Sequence, residues 1–327
     1  VNGKPKIDDD QSEALVTNNG SSPACPIKSC TDTSWYADAH DIEYSTSDRT
    51  YSFYRCQTCD ILFIVPMLWD RLGEIYPKNY YSYAPKKRGI VPHQRSLERR
   101  LLKLLASIPG DRLSVLDIGG GSGWMLDQIK SCSPRVGFTQ CVDLDGAAQA
   151  HAVARGHAYH LGRIEQFDTD RRFDLVQAFD LIEHVRDPAL VLRRIAGLLT
   201  DHGRVLISTP NFDALDARLF RHCSWAGYHT PRHFVMFNRQ SFTALAEQSG
   251  LAVESFSYTP GATYWAASVL NAMRRLGLVE VSPQRLPYDH PLYPLLKASF
   301  AAFDFARRPF ARLSKMVFTL SRRCPPA

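Results

Sequence analysis

The sequence predicts an α/β fold built on a mostly parallel, doubly wound sheet. Three observations carry this: strand-length apolar runs alternate with helical periodicity from about residue 94 to 260, a glycine-rich turn follows the first strand, and an acid closes the second. Strands that alternate with helices form βαβ units, whose right-handed crossovers place helices on both faces of a parallel sheet.

Residues 95–108 have helical apolar spacing, with Leu97, Leu101, Leu104 and Leu105 on one face. Residues 113–118 form a short strand that ends in the glycine loop, and a helix follows at 124–130. The alternation continues with a strand at 136–143, a helix at 146–156 and a strand at 173–179. A helix at 188–199 is opened by Asp187 as N-cap and Pro188 in the first turn. A strand at 203–209, a helix at 239–250 closed by glycine, and a strand at 251–258 come next. A helical insertion at about 261–312 precedes a last strand at 313–321. The 94–327 domain is preceded by a flexible leader (1–22), a cysteine module (23–66) and a connector (67–93) in which Tyr76, Tyr80, Tyr81 and Tyr83 stand among prolines and lysines.

Composition narrows the function classes. With 45% hydrophobic and 22% charged residues the chain is globular rather than disordered. A net charge of +6 is what a solvated surface carries and argues against a nucleic-acid footprint. No run offers the roughly 18 apolar residues of a membrane-spanning helix. The polar leader, with Asp8, Asp9 and Asp10, lacks the apolar core of a signal peptide, so a cytoplasmic protein is the expectation.

Of eight cysteines, Cys25, Cys30, Cys56 and Cys59 crowd together while Cys132, Cys141, Cys223 and Cys324 are scattered. Without a secretion signal, such a cluster favours metal over disulfides. Two closely spaced thiolate pairs suit tetrahedral, structural zinc, the second borne on a β-hairpin; four merely buried cysteines is the competing reading.

The loop 117–123 has glycines at 119, 120, 121 and 123, which permit a tight turn and close approach to a ligand at the next helix's N-terminus. Asp143, about 20 residues on, is placed to accept ribose hydroxyls; a strand-end or capping role is the alternative, although Asp145 can cap instead. Asp117 stands just before the first glycine. A carboxylate there disfavours a pyrophosphate and suits a sulfonium and an α-amino group, which points to S-adenosylmethionine rather than a dinucleotide.

The run from Val115 to Gly123 resembles the first motif of the class I S-adenosylmethionine-dependent methyltransferases, residues 173–185 their fourth-strand motif and 203–211 their fifth strand. The resemblance spans roughly 97–260. It implies a Rossmann-like seven-stranded sheet of order 3-2-1-4-5-7-6 with the seventh strand antiparallel. It also implies cofactor contacts on Asp117, Gly119, Gly120, Gly121 and Gly123, on Asp143 and Leu144 at the ribose, on Ile164 near adenine and on Asp180 beside the methionine part. The cysteine module and connector resemble the N-terminal part of a bacterial subgroup in which a four-cysteine zinc ribbon and a Tyr-Tyr pair, here Tyr80-Tyr81, precede the catalytic domain. Its members act on sugars, glycans or secondary metabolites.

Asp180-Leu-Ile-Glu183-His184 is similar to the acid-x-x-Glu-His of quinone-biosynthesis O-methyltransferases, which implies a divalent cation at Asp180, Glu183 and His184; capping of the coming helix is the plainer reading. The loop 225–234 supplies His233 and His229 as candidate bases, His233 ahead, and Arg232 for an anionic acceptor. The Asn-Pro-Pro-Tyr of base-N-methylating enzymes is replaced by Asp180-Leu-Ile-Glu183. In the insertion, Phe300, Phe303 and the arginine pairs 274–275 and 307–308 suit a peripheral membrane contact or lipid-linked acceptor, or a lid or homodimer surface. The expectation is methyl transfer to a hydroxyl of a small molecule, sugar or glycan. A ribbon-bearing RNA methyltransferase and a non-catalytic cofactor-binding subunit are the alternatives.

Overall fold

The computed structural model describes residues 22–77, 94–282 and 286–323. The leader, Tyr80, Tyr81, Tyr83 and Cys324 lie outside the described residues.

The N-terminal module contributes strands β1 (Thr33–Ala39), β2 (Tyr51–Cys56) and β3 (Ile61–Val65) and a short helix α1 (Leu72–Ile75). The large domain runs α2 (Gln94–Ser107), β4 (Leu113–Ile118), α3 (Trp124–Cys132), β5 (Val136–Asp143), α4 (Gly146–Ala154), β6 (Ala158–Leu161) and β7 (Phe173–Phe179). It continues through α5 (Pro188–Leu198), β8 (Leu199–Pro210), α6 (Leu215–Leu219), β9 (Val235–Met236), α7 (Arg239–Gln248) and β10 (Leu251–Thr259). Helices α8 (Ala262–Arg275) and α9 (Tyr293–Arg307) precede the last strand, β11 (Lys315–Arg322).

The main sheet has the order β10-β11-β8-β7-β4-β5-β6. Numbered within the sheet alone, this is the expected 3-2-1-4-5-7-6, and β11 pairs antiparallel with both β8 and β10. Alternating side chains feed two cores. Val115, Leu175 and Leu206 face Leu101, Leu105, Leu126 and Ile129 of α2 and α3. Leu116, Val176 and Ile207 face the other core with α5 and α7. The caps follow the sequence: Asp187 accepts from Leu190 N–H at 2.8 Å with Pro188 in the first turn, and Asp145 accepts from Ala147 and Ala148.

Strands β1, β6 and β9 were not expected from periodicity. The two-residue β9 pairs with β3 through Leu62–Met236 and Phe63–Val235, so the N-terminal sheet has the order β1-β2-β3-β9. The cysteine module at 23–66 therefore shares a sheet, and a core, with a loop that follows β8.

Candidate active site

A cleft of about 820 Å³ opens at the carboxyl ends of β4, β5 and β7, where open α/β sheets bind ligands. Asp117, Gly119, Gly120, Gly121, Asp143, Leu144, Ile164, Asp180 and His184, from four stretches of the chain, all border it.

The loop after β4 owes its path to glycine. Gly119, Gly121 and Gly123 take φ of +76°, +50° and +75°, a region that side chains with a Cβ rarely adopt. A Cβ on Gly120 would lie 2.5 Å from Asp117 Oδ2 and 2.9 Å from Cys141 Sγ. Where a Cβ on Gly121 would project, no described atom lies within 4 Å, so the backbone there fronts open space. Gly123 is different: it is not part of the cleft wall, and a Cβ there would collide with the His157 ring. Its glycine serves packing at the start of α3.

Asp143 ends β5 with its carboxylate organised by the backbone. Oδ2 accepts from Gly121 N–H at 2.7 Å and Oδ1 from Asp145 N–H at 2.9 Å. Burial pushes its carboxyl up and these donors oppose the shift. Each oxygen keeps lone-pair capacity for a ligand hydroxyl. The glycine loop, the open face at Gly121 and Asp143 together fit a nucleoside such as that of S-adenosylmethionine.

Asp180, at φ +50° after β7, accepts from Ser208 Oγ at 2.9 Å and pairs with Lys315 Nζ at 2.5 Å. Burial works against its charge, but Lys315 and Ser208 outweigh it and hold the carboxyl below its ordinary value. Lys315 enters the cleft from the start of β11, 135 residues away. Sequence reasoning missed it, as a lone lysine at a strand start carries no signal. Trp69 and Tyr76, from the start of the connector, also border the cleft, and Arg163 stacks on Trp69 at 3.5 Å.

Behind the wall the three candidate histidines come together. Ring centroids are 4.6 Å apart for His184–His233 and 5.1 Å for His229–His233. Among the described residues His184 borders the cleft, whereas His229 and His233 lie behind it. His184 Nδ1 is 3.0 Å from the Arg232 carbonyl and 2.9 Å from Tyr76 Oη. A carbonyl can only accept, so His184 carries its proton on Nδ1 and leaves Nε2 as the lone pair. His233 Nδ1 likewise donates to the Gly227 carbonyl at 2.8 Å, and His229 Nδ1 meets Glu43 at 2.5 Å.

Burial sets the electrostatics of this corner. It pushes His184 down to about 3, reinforced by His229, and His233 well below its ordinary value, reinforced by His184. Glu183, fully buried, is pushed up to about 8 by burial and by Asp180. Its Oε2 accepts from Thr209 at 3.0 Å, and no described donor reaches Oε1, so little offsets the cost of burying its charge.

Two expectations are corrected here. Arg232, expected to meet an anionic acceptor, is wholly buried and paired with equally buried Asp41 at 2.9 Å. The set Asp180, Glu183 and His184 does not fit a divalent cation, because the Lys315 ammonium occupies the Asp180 carboxylate. The group that converges is Glu183, His184 and His233, each offering a ligand atom within 4.8 Å of the others.

In the N-terminal module, Cys25, Cys30, Cys56 and Cys59 bring their sulfurs within 4.8 Å of one another, with Cys30–Cys56 at 3.3 Å and Cys30–Cys59 at 3.8 Å. Burial raises Cys25 to about 11 and raises Cys59 as well. Burial opposes ionisation of Cys30 too, but donation from Cys56 and Cys59 outweighs it and lowers that thiol. None of the seven described cysteines is in a disulfide.

A sheet of this topology, with a glycine turn and strand-end acids lining one cleft, is an open α/β domain with a ligand-sized cleft at its strand ends. The chain belongs to the methyltransferase-domain family, whose model matches residues 92–255. No curated protein matches the chain. Solved structures similar to it include the 1,6-didemethyltoxoflavin-N1-methyltransferase of Burkholderia thailandensis with bound S-adenosylhomocysteine (16% identity, TM-score 0.46, covering 79% of this chain and 88% of that one). A putative sarcosine dimethylglycine methyltransferase from Galdieria sulphuraria is similar at 13% identity and TM-score 0.46, over 70% of this chain and 86% of that one. The O-methyltransferase of a trans-AT PKS multienzyme of Brevibacillus brevis is similar at 15% identity and TM-score 0.45, over 71% and 76%.

Proposed function

We propose that the protein transfers a methyl group from S-adenosylmethionine to a hydroxyl of a small-molecule, sugar or glycan acceptor. The observation that carries this is one cleft holding the glycine loop, Asp143 and the Asp180–Lys315 pair. Asp143 receives the ribose hydroxyls, Leu144 and Ile164 flank the base, and Asp180 and Lys315 offer opposite charges to the amino and carboxylate groups of the methionine part. The cofactor, when bound, supplies an electrophilic methyl on a sulfonium. His184 Nε2 would accept the acceptor's hydroxyl proton as the C–O bond forms and the S–CH3 bond breaks, the donor leaving as the neutral thioether. With basicity as low as burial makes it, the chain contributes alignment more than strong base catalysis.

Zinc in the four-cysteine cluster is part of this reading. Zn–S bonds of about 2.3 Å imply tetrahedral S···S edges of about 3.8 Å, close to the separations found. The metal would brace β3 and, through β9, the loop that carries His229 and His233. Metal content near zero in folded protein would remove it.

Calorimetry with S-adenosylmethionine and its demethylated product is the first test, and no affinity for either sinks the proposal. A labelled-cofactor screen then separates the alternatives. Transfer to RNA instead of hydroxyl compounds would make it an RNA methyltransferase, and cofactor binding without any transfer would make it a non-catalytic subunit.

A further inference from the structure

Helix α9 is inverted relative to an ordinary surface helix. Its one carboxylate, Asp304, is fully buried, accepting from Gly261 N–H at 2.9 Å and pairing with Arg307 at 3.3 Å. Meanwhile Leu295 is 65% exposed, Phe305 74% and, just past the helix, Phe310 92%. The helix spends its other face on α8, where Phe300 stacks on Trp265 at 4.9 Å and Tyr293 packs with Ala266 and Leu270. Surface helices normally turn polar residues outward. Here the outward positions include Ala298, Ala302 and Ala306 between the Leu and Phe residues, with Lys297 the charge among them. At 1.5 Å per residue the stripe extends roughly 25 Å, and a contiguous apolar surface of this kind marks an interaction site.

Charge identifies the partner. Among the described residues from 274 to 312, Arg274, Arg275, Lys297, Arg308 and Arg312 are exposed against the exposed acids Glu280 and Asp289 of the connection between α8 and α9, and from 293 to 312 the sole acid is buried Asp304. A two-fold contact with a second copy would set this basic rim against itself. An anionic surface neutralises it. No helix of the described residues is long and apolar enough to cross a membrane, so the helix would lie on a bilayer rather than span it. We propose that α9 and the segment to residue 312 form an interfacial element that docks on an anionic lipid bilayer, its Leu and Phe side chains in the acyl boundary and its basic residues at the headgroups.

Arg308 also borders the cleft, together with Arg100 and Pro260. Docking therefore brings the cleft mouth to headgroup level, where an amphiphilic acceptor held in the same bilayer reaches it. That consequence rests on the methyl-transfer reading; the docking does not.

The test is co-sedimentation of the full chain with vesicles of phosphatidylcholine alone and of equal phosphatidylcholine and phosphatidylglycerol. Binding to the mixed vesicles, weakened by salt and absent on the neutral ones, is expected. Phe305→Ser with Phe310→Ser should reduce it by about tenfold or more, and Lys297→Glu or Arg308→Glu by about fivefold each. Thermal unfolding of these variants, whose altered side chains are exposed, should stay unchanged. No binding, or equal binding to neutral vesicles, overturns the proposal. So does light scattering that shows a dimer which the double Phe→Ser variant dissociates. Cofactor affinity, measured separately, reports on the methyl-transfer reading alone.

Discussion

The two ends of the cleft are built by different means. The nucleoside side of the cofactor end comes mainly from one stretch, residues 117–145, and its geometry there is backbone geometry: positive φ at glycines and a carboxylate bound by two N–H groups. The histidine end is gathered from five places along the chain and held by side chains: Asp41 to Arg232, Glu43 to His229, Tyr76 to His184, and Glu183 to Thr209. A backbone-built site depends on a few residues that lack a side chain. A site built of buried charges depends on every partner being present, since each lost partner leaves a desolvated group behind.

The sharpest test of that difference is Arg232→Ala, which strands Asp41 in a fully buried position. Unfolding free energy should fall by about 3–5 kcal/mol, measured by urea denaturation; a loss under about 1 kcal/mol would mean that the pair braces nothing. Asp143→Ala acts at the other end. Removing charge-assisted hydrogen bonds worth about 2 kcal/mol should weaken cofactor binding about thirtyfold in calorimetry, with much less effect on stability. Equal affinity would dissolve the ribose assignment.

The buried charges of the histidine end should also give stability a pH dependence on both sides of neutrality. Glu183, at about 8 when folded against 4.5 unfolded, keeps a proton that the unfolded chain has lost. Its contribution is complete below the unfolded value and is lost as pH rises through about 8. His184, at about 3 against 6.5, works oppositely, with stability present above 6.5 and lost as pH falls towards 3. Glu183→Gln should flatten the alkaline decline and spare the acid one, as read from urea midpoints across this range. An unchanged alkaline slope would place its origin elsewhere. The smallest effect is expected of Tyr76→Phe, which removes one hydrogen bond at His184. About 1 kcal/mol, or roughly fivefold in kcat/KM, should go while cofactor affinity holds; a parallel drop in affinity would mean that Tyr76 supports the cofactor wall as well.

The contrast also explains what could be read from residues alone. Strands 113–118, 136–143 and 173–179 were legible to the residue, because alternation and turn chemistry are local and buried parallel strands have few alternatives. Asp145 caps α4, as its position after β5 suggested, and it borders the cleft together with Asp143. Gly123 was grouped with its neighbours by spacing, yet its reason is His157, 34 positions on and invisible to a motif. Lys315 and Tyr76 were missed and Arg232 misjudged for the same cause: their partners are far away in sequence and carry no periodicity.

The sequence by itself determined the alternation of the main strands and helices, the glycine turn with its two acids, and the four cysteines, since backbone freedom and hydrophobic period act over a few residues. Tertiary structure decided which charges pair, which histidine borders the cleft, that β9 joins the N-terminal sheet to the large domain, and that α9 shows its apolar side to solvent. Those outcomes depend on desolvation and on contacts between segments as far apart as Glu43 and Tyr288, 245 positions, and no local pattern encodes which buried carboxylate will meet which cation.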